Sequence, residues 1–468
     1  MNKQKKVSSK FIFFFGSFGG ILFGYDIGVM TGALPFLKTD WALTNATLVG
    51  WVTSAVMFGA IFGAAIAGQL ADRLGRRRMI LMSSLIFAIG SILCGFSPNN
   101  GTYYLIGMRI FLGLAVGAAS ALVPAYMSEM APARLRGSLS GINQTMIVSG
   151  MLISYIVDYI LKDLPENMSW RLMLGLAAVP AIILFLGVLK LPESPRFLIK
   201  ANRLDEARQV LSFVRKPDEV DSEVKAIQST AQTEANNLEK TSWATLFNGK
   251  YRYLVMAGVG VAAFQQFQGA NAIFYYIPLI VEKATGSAAS SALMWPIVQG
   301  ILLVLGSLLY IWIAEKFNRR TLLMLGGSVM ALSFLLPAVI NSLVPNASPM
   351  MIVVFLCIYV AFYAVTWAPL TWVLVGELFP LAIRGRGSGL ASSFNWIGSF
   401  AVGLLFPIMT ASMPQEAVFA IFGVICLLGV AFIRFAVPET RGRSLEEIEV
   451  LGAGESPAEV SGKPVTNR

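Results

Sequence analysis

Apolar residues along this chain gather into runs of about 20, with short polar stretches between them. The runs fall at about 11–37, 47–70, 79–97, 103–126, 138–161 and 172–191. After a polar stretch at 192–250 they resume at about 252–281, 289–314, 321–343, 349–375, 387–410 and 416–437. A helix needs about 20 apolar residues to cross a hydrocarbon core about 30 Å thick. The pattern therefore predicts an all-α membrane protein with twelve transmembrane helices, spans 1 to 12. It divides the chain into a six-helix bundle at 1–191, a helical linker at 192–250, a second six-helix bundle at 251–437 and a polar tail at 438–468. Within the linker, the run from Arg203 to Leu211 has the spacing of an amphipathic helix.

Composition agrees. The 468 residues are 56% hydrophobic and 13% charged, and the mean hydropathy is +0.68. A soluble domain carries about 25% charged residues, so lipid must cover much of this surface. Cys94, Cys357 and Cys426 lie far apart inside apolar runs and read as small buried hydrophobes. The chain has no histidine, which removes the commonest metal ligand and the commonest general base near neutral pH. An enzyme of the zinc or His-triad type is excluded, and no cofactor is implied. The first apolar run holds Asp26 near its middle and is too long for a signal peptide, so it is expected to be retained.

Charge orients the spans. The amino terminus, the tail and the loops after spans 2, 4, 6, 8 and 10 hold the large majority of the 36 basic residues. The other side has only Lys38, Lys162, Arg171 and Lys283. Basic loops stay in the cytoplasm, so both termini are expected there. The net charge of +10 is then a topology signal. No soluble basic face exists for nucleic acid, and no obligate protein partner is inferred.

Three patterns occur twice. Asp72-Arg73-Leu74-Gly75-Arg76-Arg77 returns as Glu315-Lys316-Phe317-Asn318-Arg319-Arg320; Glu129 to Gly137 returns as Glu377 to Gly385; Pro192-Glu193-Ser194 returns as Pro438-Glu439-Thr440. The offsets, 243, 248 and 246 residues, are nearly equal, which points to duplication. Both copies lie on one side, so the repeat is parallel, as in transporters that bind substrate between two rocking halves. Glu129 and Glu377 end spans 4 and 10, within reach of arginines in the adjacent loops. Arg76, Arg136, Glu193, Arg196, Arg319, Arg384 and Glu439 complete a set expected to pair when the cytoplasmic side closes; anchoring at lipid headgroups is the alternative.

These motifs carry a resemblance. The two arginine-rich loops, Pro192-Glu193-Ser194-Pro195-Arg196, Pro438-Glu439-Thr440-Arg441-Gly442-Arg443, Gln265-Gln266-Phe267 with Gly269 and Asn271, and Trp372 ahead of Glu377-Leu378-Phe379-Pro380 resemble the sugar porter family of the major facilitator superfamily. The resemblance runs from Phe11 to about Glu449 and is nearest to bacterial proton-coupled pentose and hexose symporters. It implies the major facilitator fold, two pseudo-symmetric six-helix bundles in a bacterial plasma membrane, importing a monosaccharide with protons. A facilitative uniporter and a non-transporting sugar sensor are the alternatives.

A neutral, hydroxyl-rich ligand needs amides that donate and accept, and a flat aromatic surface. Span 7 offers Gln265, Gln266 and Asn271, with Gly269 able to interrupt the helix. The resemblance adds Gln144, Trp372, Asn395 and Trp396 to the sugar site, and gives Tyr275 and Tyr276 a part in closing the outer side. Asp26 is the sharpest single residue. A mid-membrane carboxylate costs about 2.5–3.5 kcal/mol and is functional by default. Arg109 is the basic residue deep in a span, and the two are expected to pair in one state and part in another, carrying a proton. Asp158, near Lys162, is expected to be solvated or paired with that lysine and is given no coupling role. Asn318, Leu303 and Gln268 depart from the family pattern at or near the site.

Overall fold

The computed structural model describes residues 8–131, 136–229, 246–247, 249–286, 288–314, 316–344, 348, 350–380 and 383–441. Every regular element among them is a helix. Span 1 is Ser9–Ser17 continued by Gly19–Asp40; spans 2 to 5 are Ala46–Leu74, Arg76–Gly95, Thr102–Met130 and Arg136–Leu161. Span 6 is Glu166–Leu176 followed by Ala178–Val188. Span 7 is Gly249–Phe267 followed by Ala270–Thr285, and span 10 is Met350–Val365 followed by Trp367–Leu378. Spans 8, 9, 11 and 12 are Met294–Ile313, Arg319–Leu343, Arg384–Ser412 and Gln415–Ala436. Eleven stretches among the described residues are long and apolar enough to cross a membrane; the twelfth expected span, span 7, is broken. Outward strips such as Leu85, Ile89 and Ile92 on span 3 and Leu305, Leu308 and Leu309 on span 8 remain exposed, as a lipid-facing surface requires.

Local sequence explains several of these boundaries. Asn45 starts span 2 by accepting from the backbone N–H groups of Thr47 (2.9 Å) and Leu48 (3.2 Å). The linker holds helices Pro195–Lys200 and Leu204–Val214, the second being the predicted amphipathic one. Arg215, at its end, donates to the carbonyls of Met130 and Ala131, each at 2.9 Å, and pairs with Glu223 at 2.9 Å. It thereby satisfies carbonyls left open at the end of span 4.

The broadest contacts between the two sets of spans are 1 with 7, 2 with 11, and 5 with 8. Span 2 and span 11 show where the halves meet. Away from the arginine-rich loops, Trp51 packs on Phe400 at 5.3 Å between ring centres, and the side chain of Ser54 lies 3.1 Å from where a Cβ on Gly403 would be. Toward the arginine-rich loops, Gly68, Gly385 and Gly389 face open space. The halves are therefore closed on the sparsely charged face and apart on the basic face.

Candidate functional site

Span 7 breaks at Gly269, whose φ of 89° and ψ of 13° are left-handed. A Cβ there would also lie 2.8 Å from Phe422, so glycine is required twice over. The break sets Gln265, Gln266 and Asn271 into one hydrogen-bonded set. Asn271 donates to Gln266 Oε1 at 2.8 Å and to Ser399 Oγ at 2.5 Å. Asn395 of span 11 donates to Gln265 Oε1 at 2.7 Å and to the carbonyl of Ala262 at 2.9 Å, and accepts from Gln266 at 3.3 Å. Gln265 donates to the carbonyls of Trp367 (3.1 Å) and Ala368 (3.0 Å), at the start of the second half of span 10. Gln265, Asn271 and Asn395 are buried while Gln266 is half-buried. Three spans are thus tied together by amides, and Gln266 is the member left reachable.

Spans 10 and 11 also carry the two tryptophans expected at the site. Trp372 is 42% exposed, although span 10 is otherwise mostly buried at this level. Trp396 is buried, with its ring 5.4 Å from that of Phe23 on span 1, across the boundary between halves. Gln144 is half-buried. Helical phase puts it between the face of span 5 that meets Gly20 of span 1 and the face that meets Gly300 and Ser307 of span 8. Leu303, on span 8, is fully buried.

In the other half, Asp26 and Arg109 are both buried, with Arg109 Nη1 3.9 Å from Asp26 Oδ1. Arg109 also donates weakly to the carbonyl of Thr53 at 3.4 Å, and its Nε has no partner. The pair is too long for a hydrogen bond, and among the described residues no other cation is paired with Asp26. The long pair leaves room for the carboxyl to change partners.

The sparsely charged face is closed by contacts that the sequence did not announce. Thr31 of span 1 donates to the carbonyl of Phe274 at 2.7 Å, and Gln299 of span 8 donates to Tyr155 of span 5 at 2.9 Å. Both bonds join one half to the other. Tyr275 and Tyr276 are fully buried beneath them, and Tyr276 donates to the carbonyl of Gly403 at 2.7 Å. Tyr276 also lines a cavity of about 860 Å³ that includes Lys38, Thr39, Glu282, Lys283 and Gln415.

On the basic face, Arg76 pairs with Glu129 at 3.3 Å and Arg319 with Glu377 at 3.5 Å. Ser194 donates to Glu129, and Thr440 donates to Glu377 at 2.5 Å. Glu193 accepts from the N–H of Arg77 at 3.1 Å, and Glu439 from those of Arg319 (3.0 Å) and Arg320 (3.1 Å). The duplication is exact in chemistry here: a carboxylate at the end of span 4 or 10, an arginine, and a hydroxyl from the repeated Pro-Glu-Ser or Pro-Glu-Thr. These pairs correct one expectation. They join helices of a single half and exist while the halves stand apart on this face, so they do not form only on closure. Arg384 donates to the carbonyl of Phe379 at 3.2 Å and not to a carboxylate in any bond described. Arg196 takes part in interactions of its own. The side chain of Arg136 and all of Glu315 lie outside the described residues.

Asp158 is a second correction. It is buried, and Lys162 instead pairs with Asp163 at 3.4 Å. Its neighbours in sequence gave no warning, because burial here depends on which face of span 5 meets span 1.

Comparison with known proteins supplies the family. The profile of the family described as "Sugar (and other) transporter" matches residues 12–451. A D-xylose transporter of Levilactobacillus brevis is 41% identical, covering 98% of this chain and 99% of its own. The glucose transporter GlcP of Staphylococcus epidermidis is 39% identical over 95% of this chain and 97% of its own. Among solved structures, the xylose transporter XylE from E. coli in an inward-open conformation superposes with a TM-score of 0.81 at 28% identity, covering 94% of this chain and 99% of that one. The chain is a multi-pass membrane transporter that belongs to the sugar porter family of the major facilitator superfamily.

Proposed function

We propose that this sugar transporter imports a monosaccharide by proton symport, with the basic face in the cytoplasm of a bacterial plasma membrane. The observation that carries the reading is the pairing of two unlike sites across one boundary. The amide set on spans 7 and 11 with exposed Trp372 suits a neutral polyhydroxyl ring, while the Asp26–Arg109 pair opposite suits a proton. In the relatives, XylE is described as a proton:xylose symporter, which supports the coupling. With the outer bonds of Thr31 and Gln299 made and the basic face open, the conformation is the one that releases cargo inward. A proton on Asp26 neutralises it, frees Arg109 from its one close carboxylate, and lets the loaded halves reorient. Loss of the proton to the cytoplasm restores the pair.

The test is uptake into proteoliposomes, with labelled xylose, glucose, arabinose, galactose and inositol, with and without an inward proton gradient. Accumulation against a sugar gradient, driven by protons and lost in Asp26→Asn, is the expected result. Equilibration without accumulation under any gradient means a uniporter. Binding without movement means a sensor.

A further inference from the structure

Spans 1 and 5 run in parallel and approach closely along Gly20, Gly24, Gly28 and Gly32, which meet Asn143, Ile147, Ser154 and Asp158 in turn. At the last of these contacts, the Asp158 carboxyl occupies the space that a Cβ on Gly32 would fill. Asp158 is 1% exposed, and neither of its carboxyl oxygens has a hydrogen-bond partner. An ionised carboxylate in such a place has no protein donor to offset its lost hydration.

The groups around it do not supply a counter-ion. Span 1 presents Tyr25, and the next residue, Asp26, turns to Arg109 of span 4. On span 5 itself, Tyr155 faces it, and Lys162 is held by Asp163 at 3.4 Å and lies over the Tyr159 ring at 4.7 Å. Span 8 presents the amide Gln299, bonded to Tyr155, and its residues 294–313 include no charged side chain. Arg171 of span 6 is turned to Ser97 and Asn99.

We propose that Asp158 is a second proton-binding site, filled from the outer side and holding its proton while the outer face is closed. Its place in the fold says what the proton does. Thr31 and Tyr155, which make the bonds across the halves, lie beside Gly32 and Asp158: Thr31 is the residue before Gly32, and Tyr155 is about one turn before Asp158. Opening the outer face breaks those bonds and admits water. Asp158 then ionises, and Lys162, four residues on, becomes its counter-ion. The proton returns to the side it came from, so it adds nothing to the transported charge. It sets how readily the outer face opens. The closed state binds one more proton than the open state, so acid outside favours closure and alkali favours opening. The open-to-closed ratio rises by up to about tenfold per pH unit. This inference does not depend on the sugar carried or on the coupling role of Asp26.

The experiment uses full-length protein in nanodiscs without sugar. Cys94, Cys357 and Cys426 are replaced by serine or alanine, and spin labels are placed at Thr44→Cys and Ser412→Cys, both exposed on the outer face. Pulsed-resonance distances give the open and closed populations from about pH 6 to about pH 9. The expected result is a population of the long distance that grows with pH in the parent protein and in Asp26→Asn, and stays flat in Asp158→Asn. A slope that survives in Asp158→Asn overturns the proposal, as does a slope that vanishes in Asp26→Asn alone. Infrared spectra of Asp26→Asn keep the question open to test even if Asp158→Asn does not fold. A protonated carboxyl band at neutral pH is expected there, and its absence contradicts the assignment.

Discussion

Arg109→Met isolates the Asp26 carboxyl and gives the sharpest quantitative test of the buried pair. The arginine lies 3.9 Å from Asp26, and both side chains are at most 3% exposed. Removing one partner of a buried pair leaves an uncompensated charge at a cost of about 3–5 kcal/mol. The carboxyl has an alternative whose cost falls with pH, because it can take up a proton. Relative to an unfolded carboxyl that titrates at about 3.9, holding a proton at pH 7 costs about 1.4 kcal/mol for each of about 3.1 pH units, or about 4.2 kcal/mol. At pH 5 the same step costs about 1.5 kcal/mol. The sign follows from linkage. The folded variant binds one more proton than its unfolded state, so the variant gains stability as pH falls. Chemical unfolding in detergent, followed by tryptophan fluorescence at both pH values, reads the difference. The variant should lose about 4 kcal/mol at pH 7 and less than about 2 kcal/mol at pH 5, and adding Asp26→Asn should restore most of the loss at pH 7. A loss that is the same at both pH values, or one that Asp26→Asn does not relieve, refutes a charged pair at this position.

Other residues give independent checks. Gly269→Ala forces a side chain into a left-handed backbone and toward Phe422 at 2.8 Å, so it should cost about 1–2 kcal/mol and slow transport, read by thermal unfolding and initial uptake rate. Asn395→Leu strands the Oε1 of buried Gln265, whose remaining contact to Gln266 is long at 3.5 Å. It should lower sugar-free stability by about 1–3 kcal/mol as well as weaken sugar binding; an unchanged melting temperature would mean the amide set holds no helices together. Thr31→Val removes a bond of 2.7 Å that joins the halves, worth about 0.5–1.5 kcal/mol, and should raise the outer-open population about 2- to 12-fold in distance measurements on labelled outer ends.

Much of this architecture was legible in the sequence, because lipid imposes a simple rule on it. Runs such as 416–437 had to be helices, and a parallel duplication had to place Glu129 and Glu377 at equivalent ends. Glycine at 269 was legible as a point where span 7 can break, since glycine tolerates the left-handed backbone seen there. What the sequence did not show was which atoms meet. Gln265 reads as a ligand for sugar hydroxyls, yet its amide is spent on the carbonyls of Trp367 and Ala368 and on Asn395. The break in span 10 at Thr366, with φ −120° and ψ −82°, lies one residue past Val365, whose carbonyl Pro369 cannot bond, a cue easily lost among the apolar residues around it. Thr31, Tyr155 and Gln299 read as ordinary helix residues, because their bonds span 243 and 144 positions of sequence. Asp158 was misjudged for a related reason: helical spacing put Lys162 within reach, but only packing against Gly32 shows that the carboxyl points the other way.

In the proposed cycle, sugar and proton move together through Asp26. Sugar added outside weakly buffered proteoliposomes, with a pH electrode in the bath, measures this without any imposed gradient. A sustained alkalinisation of the bath is expected on adding a transported sugar, absent in Asp26→Asn although that variant still binds the sugar by calorimetry. Sugar entry with no pH change in the parent protein, or an unaltered pH change in Asp26→Asn, would contradict this coupling.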